Sequence, residues 1–301
     1  MSEPQPLENR HLFCFGCGYV AQRLARVVQD AGGQVSGTSR TQAGADALGR
    51  LGIAGHVFDG APLPARLFDP VTDILCAIPP GPGGDDGVLT THGDMLAGLP
   101  NLEWAGLLST TGVYGDTGGA WVDEDSPLRP GNARAQRRAE AERRWLAWGA
   151  QSGSPVQIFR LSGIYGPRRS PFDRLREGSA RRIIKPGQVF NRIHVDDIVA
   201  ALWLGMQHPD AGPVFNLADD APASADEVLV EAARLLNMTP PPAVPIEEAQ
   251  LSSMAQAFYD DNKRVSNQRA RQKLGLELRY PSYREGLRAI LDEESVARHR
   301  G

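Results

Sequence analysis

The chain has 301 residues, of which 41% are hydrophobic and 23% are charged, and its formal net charge is −4. This composition is typical of a soluble globular protein, and the length favours one large domain with a smaller lobe, or two domains. The acidic balance argues against a general nucleic-acid binder, so we interpret the arginine clusters at 134–144 and 168–182 as solvated helix faces. No apolar run reaches the roughly 18 residues of a membrane helix, and the polar start lacks a signal-peptide pattern, so we expect a cytoplasmic protein.

The chain has three cysteines, Cys14, Cys17 and Cys76. An odd number without an export signal indicates free thiols in a reducing compartment. Cys14 and Cys17 have the spacing of a redox pair, but Cys14 falls in a predicted buried strand. Since no second pair completes a set of four ligands, we predict no metal site.

The first predicted element is the apolar strand His11–Phe15, which leads into the turn GCGYVA at 16–21. A helical apolar pattern follows over 20–31 and ends at two glycines. In this strand–turn–helix context, Gly16 permits the tight turn and Gly18 lets the backbone approach a pyrophosphate. The anion then meets the unpaired amides of the helix N-terminus. We predict dinucleotide contacts from the turn and the helix start: Gly16, Cys17, Gly18, Tyr19 and Val20.

The next three predicted strands carry the rest of the cofactor site. The strand at 34–38 ends at Ser39 and Arg40, without the carboxylate that would bond a ribose 2′-hydroxyl, so we predict NADP over NAD. The strand at 56–59 ends at Asp59, which could reach the adenine amino group. The strand at 73–80 is expected to run beneath the nicotinamide side, with contacts from three residues: Ala77, Ile78 and Pro79.

Four later stretches occur in the order of a known family. They are WAGLLSTTGVYGD at 104–116, RLSGIYGP at 160–167, NRIHVDDI at 191–198 and VFNLA at 214–218. With the glycine turn, they resemble the extended short-chain dehydrogenase/reductase family, which includes nucleotide-sugar epimerases and dehydratases. The alternation of strand and helix patterns independently predicts a parallel α/β sheet.

The resemblance implies a doubly wound parallel sheet, a Rossmann fold that holds NAD(P) at the carboxyl ends of its strands, with a small C-terminal substrate lobe. We assign 10–167 and 190–218 to the Rossmann domain, and 168–189 and 219–301 to the lobe. Within the lobe, we predict helices at 172–184, after an N-cap at Ser224, and at 283–291. The family also makes a homodimer possible.

The catalytic pair of this family is not evident in the sequence. The resemblance implies that Thr110 bonds the substrate oxygen, that a tyrosine on the next helix moves the proton, and that a lysine four residues later binds the ribose. Alignment of that helix places Arg134 and Arg138 at these two positions. Arg138 could still bond ribose hydroxyls, but the pKa of a guanidinium is too high for Arg134 to exchange protons near neutral pH.

Three hypotheses follow. In the first, the protein is an NADP-dependent oxidoreductase or epimerase whose proton comes from another group. Tyr114 is the main candidate, and Tyr165, Asp116 and His194 are the others, although His194 with Asp196 as N-cap also suits a structural turn. In the second, Arg134 and Arg138 bind an anionic substrate such as a sugar nucleotide or a carboxylate, together with three further arginines: Arg168, Arg169 and Arg192. In the third, the protein binds NADP without turnover, as a sensor or scaffold.

Overall fold

The structure is a computed structural model that describes residues 9–84 and 86–300, with side chains described for all of these except 253–255, 257 and 297–300. The strands are β1 (His11–Phe15), β2 (Gln34–Ser39), β3 (Ala54–Val57), β4 (Asp73–Cys76), β5 (Trp104–Thr110), β6 (Trp121–Val122), β7 (Val156–Leu161), β8 (Gly163–Tyr165), β9 (Arg182–Ile184), β10 (Arg192–His194), β11 (Val214–Leu217), β12 (Ala243–Pro245) and β13 (Arg264–Val265). The α-helices are α1 (Tyr19–Asp30), α2 (Gln42–Gly49), α3 (Gly87–Ala97), α4 (Ala133–Ser152), α5 (Pro171–Arg176), α6 (Val195–Gln207), α7 (Ala225–Leu235), α8 (Ser253–Asp260) and α9 (Tyr283–Arg300).

In the described part of the chain, seven strands form one parallel sheet in the order β3-β2-β1-β4-β5-β7-β11. The order reverses between β1 and β4, which are direct neighbours although two strands separate them in sequence. Ligands of such sheets bind outside the carboxyl ends of the strands at this switch point. The predicted doubly wound α/β fold is therefore confirmed, and the glycine turn after β1 lies at the switch point.

Both faces of the sheet are covered, which explains why its central strands read as continuous apolar runs. Successive side chains of β1 point to opposite faces. Leu12 packs in one buried cluster with residues of α1 and α6, whereas Phe13 packs in a second with residues of α3 and α4. Each cluster fixes helices against the sheet and so holds the loops at its carboxyl edge.

A further apolar cluster joins segments that are distant in sequence. It contains Phe172 of α5, Val228 of α7, and Leu287 of α9. Ser224 caps α7 through a capping box with Glu227, as the sequence predicts. On this packing we propose that 168–189 and 219–301 form the lobe.

Four predicted elements were wrong in extent. The strand predicted at 73–80 ends at Cys76, and the helix predicted at 283–291 continues to Arg300. The helix predicted at 172–184 ends at Arg176, because Gly178 takes a φ of +68° and residues 182–184 pair with β12 as a short strand. The third strand ends at Val57, so Asp59 lies in the following loop, where its carboxylate accepts a hydrogen bond from the Ala61 amide. Asp59 is exposed there and not positioned by the sheet.

Candidate functional site: a cleft between the glycine turn and the arginine-rich lobe

The turn after β1 has the geometry that a pyrophosphate needs. Gly16 has a φ of +82°, and a Cβ there would lie 2.8 Å from Cγ1 of Ile78. At Gly18 a Cβ would meet nothing within 4 Å, so the backbone borders open space. Gly18 is also the N-cap of α1 and supplies no side-chain bond to the first amides of the helix. These unpaired amides and the empty space beside them fit a bound anion.

The other residues predicted at the turn divide between the cleft and the core. Tyr19 and Val20 line the cleft beside Gly16 and Gly18. The side chain of Cys17 is buried in the core, its amide donates to the carbonyl of Thr38 at 2.9 Å, and its carbonyl accepts from Gln22 at 2.9 Å. After β4, Ala77 lines the cleft, Ile78 packs against Gly16, and Pro79 is exposed.

The end of β2 presents a cation and a hydroxyl without a neighbouring carboxylate in sequence. Arg40 is exposed, and Ser39 is half-buried close to Gly44 of α2. The next residue, Thr41, caps α2 by accepting from the Gly44 amide at 3.2 Å. The N-terminus of α2 therefore lies beside Arg40, where both would favour a negative group.

A cavity of about 1510 Å³ runs from the glycine turn to the lobe. Among the described residues that line it, eight are cationic and three are carboxylates, which leaves an excess of five positive charges. The cations are Arg134, Arg138, Arg168, Arg169, Arg174, Arg181, Arg192 and Lys263, and the carboxylates are Asp173, Glu177 and Asp261. The cleft therefore suits a ligand that carries several negative charges.

Arg134 and Arg138, which we predicted at the positions of the family's tyrosine and lysine, lie at the start of α4. Asn132 caps this helix by accepting from the Ala135 amide. Arg134 is exposed and lines the cavity. Arg138 is half-buried, lines the cavity and donates to the carbonyl of Leu108 at 2.7 Å. Burial lowers the pKa of Arg138 from its usual value. This anchored guanidinium is held by the end of β5.

The end of β5 supplies hydroxyl groups to the same region. Thr110 is half-buried and lines the cavity, and its oxygen accepts from the Gly112 amide at 3.1 Å. The hydroxyl hydrogen remains available for a substrate oxygen, because the bond to Gly112 uses only a lone pair. The neighbouring Ser109 donates to Glu142 at 2.5 Å and is committed to the core. The role that the family resemblance implies for Thr110 stays a prediction.

Tyr114, our main candidate for the proton donor, lies in the core. Its ring is fully buried, and its hydroxyl donates to Oδ1 of Asn216 at 2.7 Å. The hydroxyl also accepts from Nη1 of Arg160 at 2.8 Å, and the Nη2 of Arg160 donates to Glu142 at 2.8 Å. Burial raises the pKa of Tyr114 to about 12 despite the nearby guanidinium. Because it does not line the cavity and both its bonds are internal, Tyr114 is better explained as part of a buried network than as a catalytic acid.

The other candidates for the proton donor are also held by structural bonds. The Tyr165 hydroxyl donates to the carbonyl of Ser282 at 3.3 Å, and burial raises the pKa of Tyr165. Nδ1 of His194 accepts from the Asp196 amide at 3.2 Å, so His194 is itself the N-cap of α6, and the predicted cap at Asp196 was wrong. Asp116 accepts from the Asn262 amide at 2.9 Å in an exposed turn.

Sequence reasoning missed one titratable group of the cleft, Lys263. Its side chain is only 8% exposed and lines the cavity, and Nζ lies 3.4 Å from Oδ2 of Asp261. Burial lowers the pKa of Lys263, and the charge of Asp261 offsets only part of this effect. The sequence contains only two other lysines, Lys185 and Lys273. This scarcity was the one available signal.

The described residues contain neither a candidate membrane-spanning helix nor a candidate metal site. None of the helices combines the length and the apolar character that a bilayer crossing requires. No group of three or more His, Cys, Asp or Glu side chains is arranged there to hold a metal ion.

The fold and the cleft define a protein of the Rossmann type, with a glycine turn at the switch point of its sheet. Residues 105–218 match the model of the NAD dependent epimerase/dehydratase family. A functionally unknown conserved protein from Silicibacter pomeroyi is 44% identical, with a TM-score of 0.88, over 94% of this chain and 99% of its own. Protein YeeZ of Escherichia coli (strain K12) is 28% identical over 88% of this chain and 94% of its own length. The dTDP-glucose 4,6-dehydratase of Bacillus anthracis, solved in complex with NAD, has a TM-score of 0.75 and 17% identity, covering 95% and 97% of the two chains.

Residues 105–218 therefore form a domain of the NAD-dependent epimerase/dehydratase family, as the sequence resemblance predicts.

Proposed function

We propose that the protein binds NADP at the glycine turn and acts as an oxidoreductase, or as an epimerase or dehydratase, on a small anionic substrate of the sugar-nucleotide type. The observation that carries this proposal is the continuity of the cavity, which joins the turn at Gly16 and Gly18 to the arginines of the lobe. The dinucleotide would occupy the end of the cavity at the glycine turn. The excess of five positive charges supports a second anion at the other end.

The preference for NADP rests on the end of β2. Arg40 and the N-terminus of α2 would both stabilise a 2′-phosphate, and residues 38–41 contain no carboxylate to accept from a 2′-hydroxyl. Because Arg40 is exposed, it is free to turn toward the ligand.

The bound cofactor supplies hydride chemistry, and the residues of the chain position the substrate. Thr110 would donate a hydrogen bond to the substrate oxygen at the end of β5. Arg138, fixed by the carbonyl of Leu108, would bond the hydroxyls of the nicotinamide ribose in place of the family's lysine. Arg134 would add positive charge beside the developing oxyanion, which stabilises it without exchanging a proton.

A second candidate function is NADP binding without turnover, as in a sensor or scaffold. It is favoured by the substitution of two arginines at the family's proton-transfer positions and by the burial of Tyr114. The two functions predict the same affinity for the cofactor, and they differ only in whether the cofactor is consumed.

Cofactor binding is tested first, by calorimetry with NADPH and NADH. Gly18→Asp is the sharpest variant, because the φ of −96° at this position suits any residue and a side chain there meets no protein atom. The new carboxylate would repel the pyrophosphate and abolish binding while the fold is kept. Arg40→Ala should weaken NADPH at least about tenfold and leave NADH unchanged. Binding of neither nucleotide by the unaltered protein would overturn the proposal.

Turnover is tested by following the absorbance of NADPH with keto sugar nucleotides and small anionic carbonyl compounds, in parallel with the Gly18→Asp variant. Substrate-dependent consumption by the unaltered protein alone would establish the oxidoreductase. For an epimerase or dehydratase, which regenerates its cofactor, the sugar products are separated by chromatography. Tight binding with no reaction across both assays would favour the sensor.

A further inference from the structure

A tight turn opens the first segment of the lobe at residues 166–169. Gly166 and Arg169 exchange two backbone hydrogen bonds, of 3.2 and 2.9 Å, across Pro167 and Arg168. Arg168 has a φ of +62°, a value that the third position of a type II turn requires and that glycine usually supplies. An arginine held in this disfavoured backbone region points to a function for its side chain.

The turn is fixed against the start of α1. The hydroxyl of Tyr19, the first residue of α1, donates to the carbonyl of Pro167 at 2.9 Å. A Cβ on Gly166 would lie only 2.6 Å from that hydroxyl, so the contact is close. The lobe and the dinucleotide-binding turn therefore touch through a defined hydrogen bond.

Three arginines, Arg23, Arg168 and Arg169, lie near this junction. The guanidinium of Arg169 lies 5.9 Å from the centre of the Tyr19 ring, and that of Arg23 lies 4.5 Å from it. Arg168 and Arg169 are exposed and line the same cavity as Gly18. Arg23 has Asp196 at 3.8 Å, whereas neither Arg168 nor Arg169 forms an ion pair with any described carboxylate. Two unpaired guanidinium groups thus stand beside the uncapped N-terminus of α1.

We propose that Arg168 and Arg169 bind the pyrophosphate bridge of the dinucleotide from the lobe side, opposite the uncapped amides at the start of α1. This inference rests on the proposed function, because it needs the dinucleotide at that turn. Guanidinium groups suit the task, since each presents a fork of donors that matches two phosphate oxygens. Bound cofactor would then hold residues 166–169, and through them α5, in place for the substrate.

The proposal is tested by calorimetry on the full chain with NADPH and with ADP-ribose, which keeps the pyrophosphate but lacks the nicotinamide. The variants are Arg168→Gly, Arg169→Ala and the double variant, and the matched control is Arg66→Ala, which removes an exposed arginine that does not line the cavity. Each single variant should weaken both ligands about tenfold and the double variant thirtyfold or more, with a smaller dependence on salt. The control should bind both ligands like the unaltered protein.

Arg168→Gly also separates binding from folding. Glycine adopts a φ of +62° without strain, so the unliganded variant should melt at the same temperature as the unaltered protein or higher. Lower affinity in a protein of undiminished stability would support the proposal. Unchanged affinity in the double variant, or weaker NADPH with unchanged ADP-ribose, would overturn it.

The outcomes are distinct from those of the proposed function. If the unaltered protein binds neither ligand, the cofactor assignment fails and this inference fails with it. If it binds both ligands without turnover, only the catalytic part of the proposed function is lost. If the arginine variants raise the KM of an anionic substrate and leave both affinities unchanged, the pyrophosphate contact is wrong.

Discussion

The substitution Tyr114→Phe tests whether the hydroxyl of Tyr114 has a structural or a catalytic role. The substitution keeps the buried ring and removes a hydroxyl that bonds Arg160 at 2.8 Å and Asn216 at 2.7 Å. A bond to a charged group contributes about 1.5–3 kcal/mol and a neutral one about 1 kcal/mol, so we expect a loss of about 2–4 kcal/mol in the free energy of unfolding. For a chain of this size, the melting temperature should fall by roughly 4–10 °C. Cofactor affinity should not change, because Tyr114 does not line the cavity.

The assay combines urea unfolding with NADPH calorimetry, and Tyr165→Phe is the matched control. Its hydroxyl makes one 3.3 Å bond to a backbone carbonyl, so this variant should lose less stability, about 1 kcal/mol. Equal stability of Tyr114→Phe and the unaltered protein would refute the buried network. Full stability and cofactor affinity combined with lost turnover would return Tyr114 to the role of acid.

Three further predictions concern buried charges. Glu142→Gln breaks the buried ion pair with Arg160 and should lower the free energy of unfolding by about 3–5 kcal/mol, measured by urea titration. A loss as small as that of an exposed ion pair would contradict the burial of this pair. Burial raises the pKa of Asp219 to about 7, so this carboxylate destabilises the fold increasingly as the pH rises from about 4 to about 7. The Asp219→Asn variant should therefore have a higher free energy of unfolding than the unaltered protein at pH 8 and nearly the same one at pH 4. Equal gains at the two pH values would exclude the titration of Asp219 as the cause. In NMR of the lysine side chains, Lys263 should titrate below its usual range, and Lys263→Arg should remove that signal and no other.

The cofactor turn was predictable because its signal is local. Strand β1, the turn and α1 occupy twenty consecutive residues, 11–30, and each glycine has a steric reason that can be stated before the fold is known. The doubly wound parallel sheet was predictable from the family resemblance together with the alternation of strand and helix, whereas its strand order came from the structure. The premature end of α5 was visible only afterwards, because Gly178 competes with an apolar pattern that continues through 184.

The role of Tyr114 was not predictable in the same way. Asn216, which accepts a hydrogen bond from the Tyr114 hydroxyl, lies 102 positions later, and Arg160, which donates to that hydroxyl, lies 46 positions later. The direction of the Tyr114 side chain therefore depends on tertiary packing. The same is true of Lys263, whose backbone carbonyl accepts from the amide of Asn191 72 positions away. A pattern of residue types in sequence does not contain these pairings.

The cations that line the cleft bear on the prediction that arginines replace the family's tyrosine and lysine. Arginines hold their charge at every physiological pH, so Arg134 and Arg138 can stabilise an oxyanion but cannot deliver its proton. Among the cations that line the described part of the cleft, Lys263 differs because it is a lysine, whose usual pKa is below that of arginine and is lowered further here by burial. Its ion pair with Asp261 is also long, at 3.4 Å. The side-chain amide of Asn191 donates to the backbone carbonyl of Lys263, and the backbone carbonyl of Asn191 accepts from the amide of Gly163. Gly163 lies two residues after Leu161, which pairs with Thr110 in the sheet. If turnover is found, its pH dependence should therefore be examined first in Lys263 variants.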